Sequence, residues 1–270
     1  MAMEQAGLND TTVAERILML YDLLSAHLPY EPHWWPIFSA DQPFEVVVGA
    51  VLVQQTRWEA VEAAVLRLIG RGWLAPAALA SADTGELAAL IRPCAFPSQK
   101  APGLQAIARH LLAHHGGDAA ALLRQGRADA RRELLALPRV GRETADTIML
   151  YAGHHPLFIV DAYARRLFDR LGVLPELDVL RMPYDALQDA VERPFAGWAG
   201  PIADAPTPHA FFWRLHALID EACIHHCLTT PRCNLPGARR SFAEQRKCAE
   251  HCVGCAGCPL RGVCRAYRAA

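Results

Sequence analysis

LPRVGRETADTIMLYAGHHPLFIVDAY, residues 137–163, is the stretch on which the reading of this chain turns. A helix over Ala130–Leu137 stops at Pro138, and PRVG turns the chain. Apolar spacing resumes at Ala145, Ile148, Met149 and Ala152, which predicts a second helix over Arg142–Ala152. Gly141 permits a positive φ and close approach by another backbone. The unpaired N–H groups that open the second helix, with its dipole, suit a phosphate, and Arg139 and Arg142 flank them. An ordinary αα-hairpin gives the same periodicity. Beyond the hairpin a lone carboxylate, Asp161, follows the apolar run LFIV. It reads either as the N-cap of a helix from Ala162 onward or as a catalytic group.

Outward from this stretch, apolar residues recur at helical spacing, as in Ile17, Leu20 and Leu24. The run Val46–Val53 has the composition of a buried strand, but Asp41 and Pro43 ahead of it predict the opening of a buried helix. Breaks are expected at 30–43, 92–103, 153–160 and 193–208. The chain has 270 residues, 52% hydrophobic and 20% charged, which is globular and enough for one large core or two small ones. No apolar run reaches the roughly 18 residues of a membrane span. The N-terminus MAMEQAGLNDTT has no basic or apolar signal segment, so a cytoplasmic protein is expected. A formal net charge of −1 excludes a bulk-cationic coat for nucleic acid but not a local basic face. Lys100 and Lys247 are the only lysines, so any amine chemistry has two candidates.

Of nine cysteines, Cys94 stands apart and the others lie between 223 and 264. In a reducing compartment that clustering points to metal before disulfide. Cys248, Cys255, Cys258 and Cys264 form C-x6-C-x2-C-x5-C. Soft thiolates select zinc or iron–sulfur. One compact loop suits a cubane better than the paired knuckles of zinc sites, and surface cysteines without a ligand are the bland alternative. Cys252 falls outside the pattern. Cys223, Cys227 and Cys233, near His225 and His226, read as buried helix cysteines or as a second metal site.

LPRVGRETA followed by VDAY resembles the helix-hairpin-helix motif and downstream aspartate of the endonuclease III superfamily of DNA glycosylases, and the cysteine spacing resembles that family's [4Fe–4S] loop. The resemblance runs from about Tyr30 to Cys264. It implies an all-α, two-lobed helix-hairpin-helix glycosylase fold with DNA across the cleft. Residues 42–155 would form a six-helix barrel domain containing the hairpin, and 1–41 with 156–270 a discontinuous iron–sulfur cluster domain. WWPIFSADQPFEVVVGAVLVQQTRW is similar to the matching segment of the endonuclease III-like 3-methyladenine DNA glycosylases, as is RETADTIMLYA. That likeness implies that Trp34, Trp35, Pro36 and Trp58 line the base pocket; loop aromatics packed into a core are the alternative. Some members of that branch lack the cluster, whereas this chain keeps the cysteines.

By the same resemblance Asp161 is the catalytic aspartate, stabilising positive charge on the sugar and orienting water. The bifunctional members' lysine is replaced by Glu143, which is no amine nucleophile. The resemblance therefore implies a monofunctional glycosylase. Glu143 is either a second carboxylate near the pocket or a surface helix residue. Gln54 and Gln55 match positions near the gap left by a flipped base. Arg139, Val140, Gly141, Arg142 and Thr144 would hold the backbone. The cluster would present Arg240, Arg246, Arg261 and Arg265 to phosphates. An alkylated purine such as 3-methyladenine is the expected substrate, because a cationic base is held well between aromatic faces. The expected partner is double-stranded DNA containing damaged bases, bound by a monomer that is cytoplasmic and nucleoid-associated. The alternatives are a glycosylase for oxidised pyrimidines or mismatched bases, a non-catalytic DNA-damage-binding protein of the same fold, and a zinc-binding interaction module.

Overall fold

A computed structural model of the chain describes residues 12–28, 34–228, 258 and 260–265. Twelve α-helices occur among them. They are α1 (Val13–Ser25), α2 (Gln42–Leu52), α3 (Trp58–Gly70), α4 (Pro76–Ser81), α5 (Thr84–Leu90), α6 (Pro97–His115), α7 (Ala119–Leu123), α8 (Arg127–Leu135), α9 (Arg142–Tyr151), α10 (Ala162–Leu171), α11 (Tyr184–Glu192) and α12 (Pro208–His225). No strand occurs among the described residues, only an isolated bridge between Ile202 and Ala205. The fold is all-α. The chain divides into two compact units, Trp35–Leu157 and the pair Met1–Trp34 with Phe158–Ala270.

In the first unit α2 is buried all round from Phe44 to Leu52. The Asp41 carboxylate accepts from the Phe44 N–H at 3.3 Å and Pro43 fills the first turn, so the start signals prevail over the strand-like composition. Glu45 is buried as well, because its carboxylate accepts the N–H groups of Phe38 at 2.8 Å and Ser39 at 2.7 Å. The break expected over 92–103 is shorter than its composition suggests. α6 opens at Pro97, after Phe96 in the left-handed region at φ 54°, and runs on through Pro102.

The hairpin forms from α8 and α9, with α8 starting three residues earlier than its periodicity predicts and ending two earlier. Asp146 is fully buried and takes an ion pair from Arg131 Nε at 2.8 Å, which joins the two helices from inside. Glu133 joins α8 to α6. Its Oε1 meets His110 Nε2 at 2.7 Å and His115 Nε2 at 2.5 Å, and its Oε2 accepts from Gln125 at 2.6 Å.

The second unit packs α1, α10, α11 and α12. Phe158 stacks on Phe168 with ring centroids 5.5 Å apart, and Tyr21 meets Phe211 at 5.0 Å. α10 has an alternation of buried Ala164, Leu167, Phe168 and Leu171 with arginines between, so it lies half in the core and half in water.

Burial works against ionisation of Glu133, but hydrogen bonds from His115, His110 and Gln125 outweigh it and hold the carboxyl at about 2, below the usual 4.5. A depressed folded-state value contributes stability above pH 4.5 that is lost as pH falls toward 2. Glu133→Gln is therefore expected to lower unfolding free energy by about 2 kcal/mol at neutral pH. The difference from wild type should close between pH 4.5 and 2, as read by denaturant titration across that range.

Candidate active site and nucleic-acid interface

In the second unit Asp161 is the N-cap of α10. Its Oδ1 accepts from the Ala164 N–H at 2.6 Å, and the residue is 8% exposed. The other oxygen, Oδ2, lies 3.9 Å from His216 Nε2. One carboxylate oxygen is thus committed to the helix and the other faces an imidazole, so the two readings of Asp161 are compatible in one side chain. His216 sits on α12, with Asp220 Oδ1 4.0 Å from its Nε2. Burial lowers the His216 pKa below 6.5, partly offset by Asp161, so the ring is neutral at neutral pH. Burial raises the Tyr163 hydroxyl, with Asp220 and Asp161 adding to it.

The ligand atoms of Asp161, His216 and Asp220 all lie within 4.8 Å of one another, close enough to share a water or a cation. His216 and Asp220 are absent from the sequence-derived site. Their signal was two ionisable residues one turn apart among the buried apolar positions of PHAFFWRLHALIDEACIH. Trp34 belongs to this unit. Its indole N–H donates to Glu221 Oε1 at 3.0 Å and its ring stands edge-on to His216 at 5.7 Å.

Trp35 belongs to the other unit, so the Trp-Trp pair parts between two environments. Trp35 stands edge-on to Trp58, with centroids 5.2 Å apart, and lies 5.0 Å from Tyr151. A Cβ at Gly49 would come 3.1 Å from the Trp35 ring, so Gly49 is what lets the indole lie against α2. Tyr151 was not singled out from sequence; only the packing identifies it. Pro36 is half-buried.

In the hairpin turn Gly141 is extended, at φ −92° and ψ −178°, so the positive φ that a glycine permits goes unused there, and the left-handed residue is Arg139 at φ 67°. A Cβ on Gly103 would come 2.6 Å from Arg139 Cγ, so Gly103 gives room to the Arg139 stem, whose head donates to Gln99 Oε1 at 3.1 Å. Gly141 faces open space, and no side chain caps the N-terminus of α9 behind it. Gly141, Arg142 and Glu143 are exposed, whereas Val140 and Thr144 are buried. Gln54, just past the end of α2, fastens the turn, with Nε2 donating to Arg139 O at 2.7 Å and Thr144 Oγ1 at 2.9 Å. Gln55 beside it is exposed and left-handed at φ 55°.

Cys248 and Cys255 lie outside the described residues, as do Cys233, Cys252, Arg240 and Arg246. Cys258 and Cys264 are described and half-buried. Cys264 Sγ lies 3.9 Å from Arg170 O at the end of α10, and the Arg170 guanidinium donates to Cys227 Sγ at 3.1 Å and Leu228 O at 3.0 Å. The Arg265 guanidinium packs over Gly172, where an added Cβ would come 2.1 Å from its Cζ.

Residues 48–190 match the HhH-GPD superfamily of base excision DNA repair proteins. The chain belongs to this superfamily. A Methanocaldococcus jannaschii protein named as a DNA repair glycosylase is 34% identical over 219 residues, 80% of this chain and 92% of the relative. Endonuclease III of Thermotoga maritima is 35% identical over 130 residues, 48% of this chain and 57% of the relative. Among solved structures, the Helicobacter pylori 3-methyladenine DNA glycosylase bound to 1,N6-ethenoadenine aligns with a TM-score of 0.63 at 25% identity, covering 78% of this chain and 96% of that one. An endonuclease III–DNA complex aligns at 0.66 with 20% identity, over 96% and 98%, a likeness of fold.

The two roles of Asp161 separate by substitution. Asn caps a helix about as well as Asp, whereas Ala does not, at a cost of about 1 kcal/mol. Asp161→Ala is therefore expected to melt lower than wild type and Asp161→Asn to keep most of the stability, both read by thermal denaturation.

Proposed function

We propose that this HhH-GPD DNA glycosylase binds duplex DNA containing damaged bases and releases alkylated purines such as 3-methyladenine by hydrolysis. The observation that carries the reading is Asp161, buried, with one oxygen tied to α10 and the other turned to a neutral imidazole. A carboxylate so held stabilises an oxocarbenium-like sugar without having to reorganise. Its free oxygen also orients the attacking water. His216 lies 3.9 Å from that oxygen and, being neutral, leaves the carboxylate's charge undiminished. Trp35, Trp58 and Tyr151 offer aromatic faces of the kind that bind a cationic alkylated base. The likeness to the H. pylori 3-methyladenine enzyme supports the same substrate class.

The reading of glycosylase action without strand cleavage is supported by the amines. Glu143 is exposed in the first turn of α9 and offers none. Lys100 is buried with Nζ held by three oxygen acceptors, and Lys247 lies outside the described residues. The exposed Gly141–Glu143 start of α9 and Arg142 would take the DNA backbone, and Gln54 and Gln55 the gap left by the flipped nucleotide.

The soft donor set of Cys248, Cys255, Cys258 and Cys264 fits a [4Fe–4S] cluster, which when bound would supply a structural cross-link among loops. Cys227 is a second candidate for the place of Cys248, because Arg170 meets both Cys227 and Cys264. Purified protein is expected to be brown. Cys264→Ser should lose the broad visible absorbance and most of the bound iron, and the same loss in Cys227→Ser but not Cys248→Ser would move the ligand to Cys227, just past the end of α12.

The test of function is mass spectrometry of bases freed from methylated duplex DNA. Wild type should release 3-methyladenine, and Asp161→Asn should fall by about 10²–10³-fold. Borohydride should trap no covalent protein–DNA adduct. Absence of any alkylated base from the wild-type reaction would overturn the substrate, and a trapped adduct would overturn the monofunctional reading.

A further inference from the structure

Lys100, in the early turns of α6, is fully buried. Its Nζ donates to Leu52 O at 2.8 Å, Gln54 O at 2.7 Å and Thr56 Oγ1 at 3.2 Å. An ammonium has three donors, and all three are used here. Leu52 ends α2, so its carbonyl is one of those at the negative end of the helix, and the Gln54 carbonyl lies two residues beyond it. Burial pulls the Lys100 pKa down, but only the charged form supplies one N–H to each of the three oxygens.

The same atoms fix the segment that follows. Thr56 Oγ1 donates to Gln54 O at 3.1 Å and accepts from Ala95 N at 3.0 Å. Gln55 between them is held left-handed at φ 55°. The Gln54 amide then reaches the hairpin turn at Arg139 O and Thr144 Oγ1, and Arg139 is itself left-handed at φ 67°. A non-glycine residue at positive φ costs on the order of 1 kcal/mol and persists where its surroundings over-determine it. Of the two such residues, Gln55 follows Gln54 in the chain, and Arg139 ends the hydrogen-bonded path that runs from the Lys100 ammonium through Gln54.

We propose that Lys100 is a positioning residue for damage recognition, fixing the Gln54–Gln55 loop through the carbonyls at the end of α2 and, through Gln54, the hairpin turn at Arg139. The inference rests on the reading of Gln54 and Gln55 as the loop that meets the gap in the DNA. It makes the lone described lysine a part of the binding apparatus with no amine chemistry of its own.

The experiment compares affinity for a duplex carrying a tetrahydrofuran abasic analogue with affinity for the undamaged duplex. Wild type, Lys100→Met, Gln54→Ala and Gln55→Ala are measured on the full chain, each with its melting temperature and its active fraction from stoichiometric titration. Corrected for active fraction, Lys100→Met and Gln54→Ala should each lower the abasic-to-undamaged affinity ratio by about tenfold. A merely structural lysine would lower the melting temperature and the active fraction but leave that ratio unchanged. A ratio kept in Lys100→Met while Gln54→Ala loses it overturns the positioning role and leaves the gap-loop reading standing. A ratio kept in both glutamine variants overturns the gap-loop reading and this inference with it. Should Lys100→Met fail to fold, Thr56→Val takes its place, removing one acceptor and the loop's own clamp; a reduced ratio supports the inference and an unchanged one overturns it.

Discussion

The hydrogen bond from the Ala164 N–H to Asp161 Oδ1 is the constraint on which the rest of this chemistry depends. A carboxylate left free at a helix N-terminus would rotate between the backbone donors and solvent. Tied by one oxygen at 2.6 Å, it presents the other in a fixed direction. In the proposed reaction a developing sugar cation would meet a charge already in place, which is where electrostatic catalysis gains most. Helix capping, ordinarily a matter of stability, here does the aiming. Burial of His216 adds to this, because a protonated imidazole 3.9 Å away would draw the carboxylate's charge to itself.

In the other unit the same economy recurs. Buried polar groups there are closed by named partners, Glu45 by two backbone N–H groups, Asp146 by Arg131 and Lys100 by three oxygens, and the half-buried Glu133 is closed by two histidines and a glutamine. A buried charge left open would cost several kcal/mol, so these groups also dictate which loops and helices lie together. The outcome is a hairpin whose outer turn, Gly141 to Glu143, stays exposed while everything beneath it is fastened.

Much of this was legible in the sequence. Helical spacing, the Asp41–Pro43 start and the PRVG turn place α2, α8 and α9, because each is set by local sterics and capping. The double reading of Asp161 was legible too, since Asp before an amphipathic helix signals a cap whatever else it does. The left-handed residue of the turn was not legible: Gly141 permits a positive φ without demanding it, and the turn places it at Arg139, where Gly103 on α6 makes room. That contact is between residues far apart in the chain and has no local signature. His216, Asp220, Tyr151 and Lys100 were hidden for the same reason: each looks like a residue on a helix face until its neighbours from other helices are known.

The central claim is that the free oxygen of Asp161 stabilises positive charge on the sugar. It is tested most directly by binding to duplexes that differ only in charge at that position, one with a cationic pyrrolidine abasic analogue and one with neutral tetrahydrofuran. Wild type is predicted to prefer the cationic duplex by about tenfold or more, and Asp161→Asn to lose that preference while holding the neutral duplex as before. A preference of equal size in Asp161→Asn would contradict the account.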